Sequence, residues 1–278
     1  GRRRTLVLGG GLVFALSLCL TAASQGFALL LLSFVLFYPA SGAFVSLSQA
    51  TLMDTDPARH EGNMARWALA GSLGVVTGPL ALSAGATLGI GWRGMYLLSA
   101  GLALALLAVA WRLPYARHRE AAGSPHFWVG VSQAWQALQR RPVRRWLTLL
   151  QCADLMLDVL LGFLALYFVD VVGVTPTQAG AAVAIWTGVG LVGDLLLIPL
   201  LERVPGLRYL RWSAACELVL LPAFLLAPPV GAKFVLLGLL SLFNAGWYSI
   251  LKAQLYSAMP GQSGTVMTVS NLFGLVGY

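Results

Sequence analysis

The chain runs to 278 residues, of which 58% are hydrophobic and only 10% charged. A soluble domain carries about 25% charged residues, so a water-soluble enzyme or binding module is excluded. The net charge of +8 does not imply a nucleic-acid partner, because the arginines sit in short loops between apolar runs, where they orient helices.

Apolar runs of about 20 residues, the length that crosses a bilayer as a helix, recur along the whole chain. The alternating segments of about 10 residues that make a β-barrel do not occur. The expected fold class is therefore an all-α membrane protein, a polytopic helical bundle. Eight complete spans are expected near 5–23, 27–53, 65–89, 92–113, 146–171, 177–201, 208–227 and 231–258, with a ninth beginning near 264. The opening "GRRRTLVLGG" reads like a loop caught halfway and the end "NLFGLVGY" stops inside an apolar run, so the bundle is expected to be incomplete at both ends. Cys19, Cys152 and Cys216 all lie inside spans and offer neither a disulfide framework nor a metal spacing. No metal and no cofactor are expected.

Four connections are very short: "ASQG", "GIG", "VGVTPTQ" and "APPVGAK". The others are longer and charged. One set of loops holds Arg2, Arg3, Arg4, Arg59, Arg66, Arg112, Arg117, Arg119, Arg140, Arg141, Arg144, Arg145, Arg203, Arg208 and Arg211; the opposite side holds Arg93 and Lys233. Fifteen against two places the first set in the cytoplasm. A multi-pass protein of the plasma (inner) membrane is expected, its long connection 114–145 cytoplasmic. Within that connection Phe127, Val131, Trp135 and Leu138 fall at helical spacing, as in a helix lying on the inner leaflet.

The sequence also repeats itself. "SGAFVSLSQATLMD" at 41–54 matches "AGWYSILKAQLYSA" at 245–258: each has a Gly, an aromatic residue two places on, and a Gln near the inner end. Gly1 and its basic neighbours match "GLRYLR" at 206–211 at a similar offset. Two halves in the same orientation follow, a parallel repeat known among transporters.

With that layout, several motifs resemble the major facilitator superfamily. "GRRR" is similar to the tail of the family's basic loop between helices two and three. "ERVPGLR" at 202–208 is similar to the equivalent loop of the second half, and "GWRGMYLLSAG" at 91–101 to the opening of helix six. "GSLGVVTGPL" at 71–80 resembles the Gly-x-x-x-Gly-Pro motif of proton-exchanging exporters, although Leu82 and Ser83 stand where that motif has a Gly-Gly pair. The resemblance implies that 1–113 is part of an N-terminal six-helix half (helices three to six). It makes 114–145 a cytoplasmic central loop with an interfacial helix, and 146–278 part of a C-terminal half (helices seven to the start of eleven). Drug–proton antiporters of the family carry an Arg in helix four; span 27–53 has no basic residue, so coupling by that Arg is excluded.

Five charges lie within spans: Asp154, Asp158, Asp194, Glu217 and Lys252. At 1.5 Å per residue, Asp154, Asp194, Glu217 and Lys252 come out roughly 10–13 Å from the cytoplasmic end, in one layer, and Asp158 roughly 18 Å in. Charge at such depth is costly and conspicuous. The layer suggests Asp154 as the partner of Lys252, with Asp194 and Glu217 holding helices together. Asp158 is the candidate proton site, with Asp154 and Lys252 the other coupling candidates. Polar stripes nominate Tyr38, Ser41, Gln151, Asn244 and Tyr248 as cavity-lining. Gly74, Gly78 and Pro79 form a helix-packing motif, and Glu202, Arg203, Gly206 and Arg208 a cytoplasmic gating loop.

The expected function is secondary active transport of a small organic molecule by alternating access, with proton-coupled efflux preferred over uptake. A non-transporting sensor or a membrane-embedded enzyme is the rival from another class. Three scattered histidines, His60, His118 and His126, give an enzyme nothing to work with. Expected partners are the lipid bilayer, the cargo and protons, with the protein a monomer and no nucleic acid involved.

Overall fold

The computed structural model describes residues 2–112 and 127–277. In chain order the helices are α1 (Arg2–Ala23), α2 (Phe27–Ser41), α3 (Leu47–Thr55), α4 (His60–Thr87), α5 (Gly91–Arg112) and α6 (Phe127–Gln139). They continue with α7 (Arg141–Leu166), α8 (Pro176–Leu201), α9 (Gly206–Leu226), α10 (Val230–Asn244), α11 (Trp247–Ser257) and α12 (Ser263–Gly277). Five-residue π-helical segments, Gly42–Ser46 and Tyr167–Val171, interrupt or extend two of the runs. No strand occurs among the described residues. Eight helical runs are long and apolar enough to cross a membrane, from Arg3–Ala23 to Val230–Ser257. Their outward faces are oil: Leu102 on α5 and Leu218 on α9 are both exposed, as suits lipid and not water.

Local chemistry sets several helix ends. α8 begins with a reciprocal capping box between Thr175 and Gln178, followed by Pro176, whose missing N–H is no loss at a first helical position. α7 also opens on a proline, Pro142, after extended Arg140. Pro39, Pro79, Pro199 and Pro222 lie inside helices without ending them.

By packing, the chain divides into two compact units, Gly1–Thr55 with Gly78–Gly130, and Asp56–Thr77 with Val131–Tyr278. The division passes through α4, whereas the sequence repeat assigns all of 65–89 to the first half.

In the first unit α1 packs on α2 and α5 around Ala15, Leu18, Ala100 and Ala103. Small residues bring the backbones together: a methyl on Gly10 would strike Ala43, and one on Gly11 would strike Leu107 and Phe44. Several buried polar groups are paired. Thr21 Oγ1 donates to Ser33 Oγ at 2.9 Å, and Arg93, stacked over Trp92, donates to the Ser24 carbonyl at 2.9 Å. At the opposite end Arg3 forms an ion pair of 2.5 Å with Asp54.

In the second unit α8 packs on α10, α10 on α9 and α11 on α7. The main core joins Leu164, Phe168, Trp186, Phe224, Leu237 and Leu240. A smaller one joins Ala65 of α4 to Leu197 of α8 and Ile250 of α11. On α6 the residues turned into protein are Ala134 and Ala137, while Trp135 is 67% exposed. The side chains of Phe127 and Val131, and the loop carrying His118 and His126, lie outside the described residues.

A candidate functional site at a broken helix

The apolar run Val230–Ser257 is long enough to be one helix, yet it is two. α10 stops at Asn244, Gly246 takes φ 87°, and α11 restarts at Trp247. Only glycine adopts that backbone conformation freely. A methyl there would also press into the Leu197 side chain. A break frees backbone groups that need partners inside a bilayer, and this one has them. Tyr209 Oη donates to the Ala245 carbonyl at 3.0 Å. The Gly246 N–H donates to the Asp194 carboxylate on α8. Ser72 Oγ on α4 donates to Asp194 Oδ2 at 2.5 Å. In the first copy of the repeat, the matching glycine opens the π-helical turn Gly42–Ser46. Interrupted spans at matching places in two repeats are the strongest sequence-level pointer to a transporter's binding site.

Around the break in the second unit lies a cavity of about 350 Å³. Trp67 and Ser72 from α4, Trp186 and Asp194 from α8, and Asn244 and Tyr248 from either side of the break line it. The walls are otherwise apolar, with small residues at Gly71 and Gly190. Ser241 Oγ, also lining, donates to the Trp186 carbonyl at 2.5 Å and so ties α10 to α8. Asn244 is 7% exposed, its Nδ2 buried. Its side chain meets the carboxylate of Glu217 on α9, which is 6% exposed.

The expected single layer of four charges resolves into two groups. Asp194 and Glu217 belong with Ser72, Tyr209 and Asn244 around the break. Lys252, 6% exposed, faces Asp154 across the α7–α11 contact, and the two charges interact. Among the described residues they do not close to an ion pair within 4.0 Å. The spacing of Ser241, Asn244, Tyr248 and Lys252 predicts one shared face. The first three line the cavity, from both sides of the break; Lys252, one turn past Tyr248 on α11, does not and faces α7 instead. Asp158 is exposed on α7 and its charge acts on Asp154, while its neighbours Leu157 and Leu161 line the cavity in its stead. Gln151 is half-buried with Nε2 unpartnered. Tyr38 is 81% exposed and Ser41 half-buried, both in the first unit. No described atom comes within 4 Å of a methyl built on Gly74 or Gly78, so the close packing expected there is not made. Among the described residues no group of three or more His, Cys, Asp or Glu gathers as a metal site.

The sequence profile of the Major Facilitator Superfamily matches residues 1–278. The chain belongs to that family. It is a secondary transporter of the membrane and not an enzyme. Solved structures agree on the fold. An outward-conformation structure of FucP, the fucose:proton symporter of E. coli, has a TM-score of 0.74 at 16% identity, covering 99% of this chain and 74% of that one. Human MFSD10, an organic anion transporter, has a TM-score of 0.72 at 22% identity over 99% and 68% of the two chains. A bacterial homologue of the iron transporter ferroportin has a TM-score of 0.60 at 18% identity, over 99% and 74%. A comparison with curated protein sequences finds no match.

In this superfamily member, sequence reasoning missed two anchors. Glu61, in the first turn of α4, accepts from the Gly206 N–H at the start of α9 at 3.0 Å and from Gln254 Nε2 of α11 at 2.8 Å. A carboxylate at a helix N-terminus is favoured by the orphan amides and the dipole. His60 Nδ1 adds a 3.0 Å contact with Ser257 Oγ. Of the expected gating loop, Gly206 is thus buried and engaged, while Glu202, Arg203 and Arg208 are exposed. The other anchor is Lys233, assigned by sequence to a loop. It is 6% exposed and donates to Tyr167 Oη at 2.7 Å and to the Phe224 and Leu225 carbonyls at 2.8 and 3.1 Å. A cation thereby satisfies the last carbonyls of α9. The signal was available: a lysine one turn inside an apolar run needs acceptors.

Proposed function

We propose that this transporter exports a small organic molecule in exchange for protons, by alternating access of two halves divided as the sequence repeat divides them. The observation that carries the reading is the cavity at the α10–α11 break, walled by aromatic and apolar groups and holding a carboxylate. A pocket of this size and character suits a small, largely apolar molecule fixed by a few polar contacts. The export direction is supported by the likeness of 71–80 to the exporter motif.

In this reading Asp158 carries the coupling proton, and Asp154 with Lys252 forms a charge pair that closes in one state and parts in the other. That the two already face each other without an ion pair supports a pair that changes distance. Glu61, His60 and Ser72 lie on a helix that the repeat assigns to the first half, yet they bond to α9, α11 and α8. Those contacts must break when the basic end opens. FucP couples fucose to protons by symport, and MFSD10 carries organic anions, so the shared fold leaves direction and cargo to the residues. Here the one carboxylate of the cavity argues against an anionic cargo.

The test is pH-gradient-driven flux of candidate compounds into proteoliposomes holding the full-length protein, for wild type and Asp158→Asn. Gradient-driven flux that the mutant loses, while counterflow exchange persists, is the expected result. Unchanged gradient-driven flux would remove Asp158 from the mechanism.

A further inference from the structure

We propose that the cavity at the helix break selects organic monocations: amphipathic molecules with one amine and an apolar, aromatic-sized body. This deepens the export reading, since it names the cargo class of the same site.

Charge is the first argument. Among the residues lining the cavity there is one carboxylate, Asp194, and no Lys, Arg or His. An anion entering here would meet like charge in surroundings of low dielectric, where such repulsion is least screened. A cation would meet its counter-charge.

The second argument is what Asp194 has left to give. A carboxylate offers about four acceptor positions. Ser72 Oγ and the Gly246 N–H take two. Both hold the carboxylate in place from opposite elements, α4 and the break, and leave it able to accept from a ligand ammonium. Charge-assisted bonds of that kind are roughly twice as strong as neutral ones.

Aromatic walls supply the third. Trp67, Trp186 and Tyr248 line the same space, and indole and phenol faces attract a desolvated cation. They equally accept an apolar body. Asn244 and Ser249 add polar groups to the same wall.

The experiment uses three probes with one skeleton: 4-phenylbutylammonium, 4-phenylbutanol and 4-phenylbutyrate. Binding to the full-length protein in lipid nanodiscs is read by saturation-transfer NMR, with empty nanodiscs to subtract partitioning. The cation is expected to bind at least tenfold more tightly than the alcohol or the acid. Asp194→Asn, which keeps an oxygen for Ser72 and Gly246, is expected to erase that preference by weakening the cation at least tenfold. Trp67→Leu is expected to weaken the cation several-fold more than the alcohol; should Asp194→Asn fail to fold, that variant decides. Equal binding of the three probes, tighter binding of the acid, or a cation preference that survives the substitutions would overturn the assignment. Because no gradient is present, loss of proton-driven flux with the cation preference intact would sink the export reading alone.

Discussion

Gly246 holds φ 87°, a conformation that costs an L side chain about 1–2 kcal/mol, and a methyl there also meets Leu197. Gly246→Ala is predicted to lose at least about that much stability, visible as a lowered midpoint of thermal unfolding in detergent; an unchanged midpoint would mean the break is not needed. Lys233 presents the reverse case, a side chain whose bonds no neighbour can replace. Hydrogen bonds to charged groups contribute about 1.5–3 kcal/mol, so Lys233→Met should lower the same midpoint by several degrees. Should it not, water is serving the carbonyls of Phe224 and Leu225. For Lys252 and Asp154 the useful quantity is a coupling. Lys252→Ala should impair transport by leaving its buried partner uncompensated, and Asp154→Asn should partly restore it. Simple addition of the two defects would show that the charges act separately.

At the scale of the element, spans were legible in the sequence because length and composition alone decide whether a helix can cross a bilayer. What a periodic pattern cannot reveal is where a helix stops being continuous. The run ending in Lys252 reads as one continuous helix, and the single residue Gly246 breaks it into two. The glycine itself was in view, paired with Gly42 by the repeat; its conformation was not. The Gly74–Gly78 face teaches a related lesson, since small residues permit close approach without compelling it. α4 makes its specific contacts through Glu61 and Ser72 instead. If the Glu61 bond at the start of α9 holds that end shut, Glu61→Ala should bias the protein toward the opened state. Ala65, fully buried against Leu197 and Ile250, reports on this. In the Glu61→Ala background, Ala65→Cys should be alkylated several-fold faster than with Glu61 intact, and equal rates would exclude a latch.

For the whole molecule, the costly features concentrate in the second unit: the helix break, the five charged side chains within spans, and buried polar atoms of Asn244, Glu217 and Gln151. Oil tolerates such groups only where they turn toward protein or water. The account therefore depends on the α8–α10–α11 cavity being wet and reachable while the outer faces of the same helices are not. Single cysteines on α8, in a background freed of Cys19, Cys152 and Cys216, measure this directly. Thr187, Gly190 and Leu191 line the cavity, whereas Val192, Leu195 and Leu196 are exposed on the outside of the helix. A hydrophilic, charged thiol reagent is predicted to modify cysteines at the first three positions and spare those at the last three; equal modification of both sets, or the reverse order, would contradict the account.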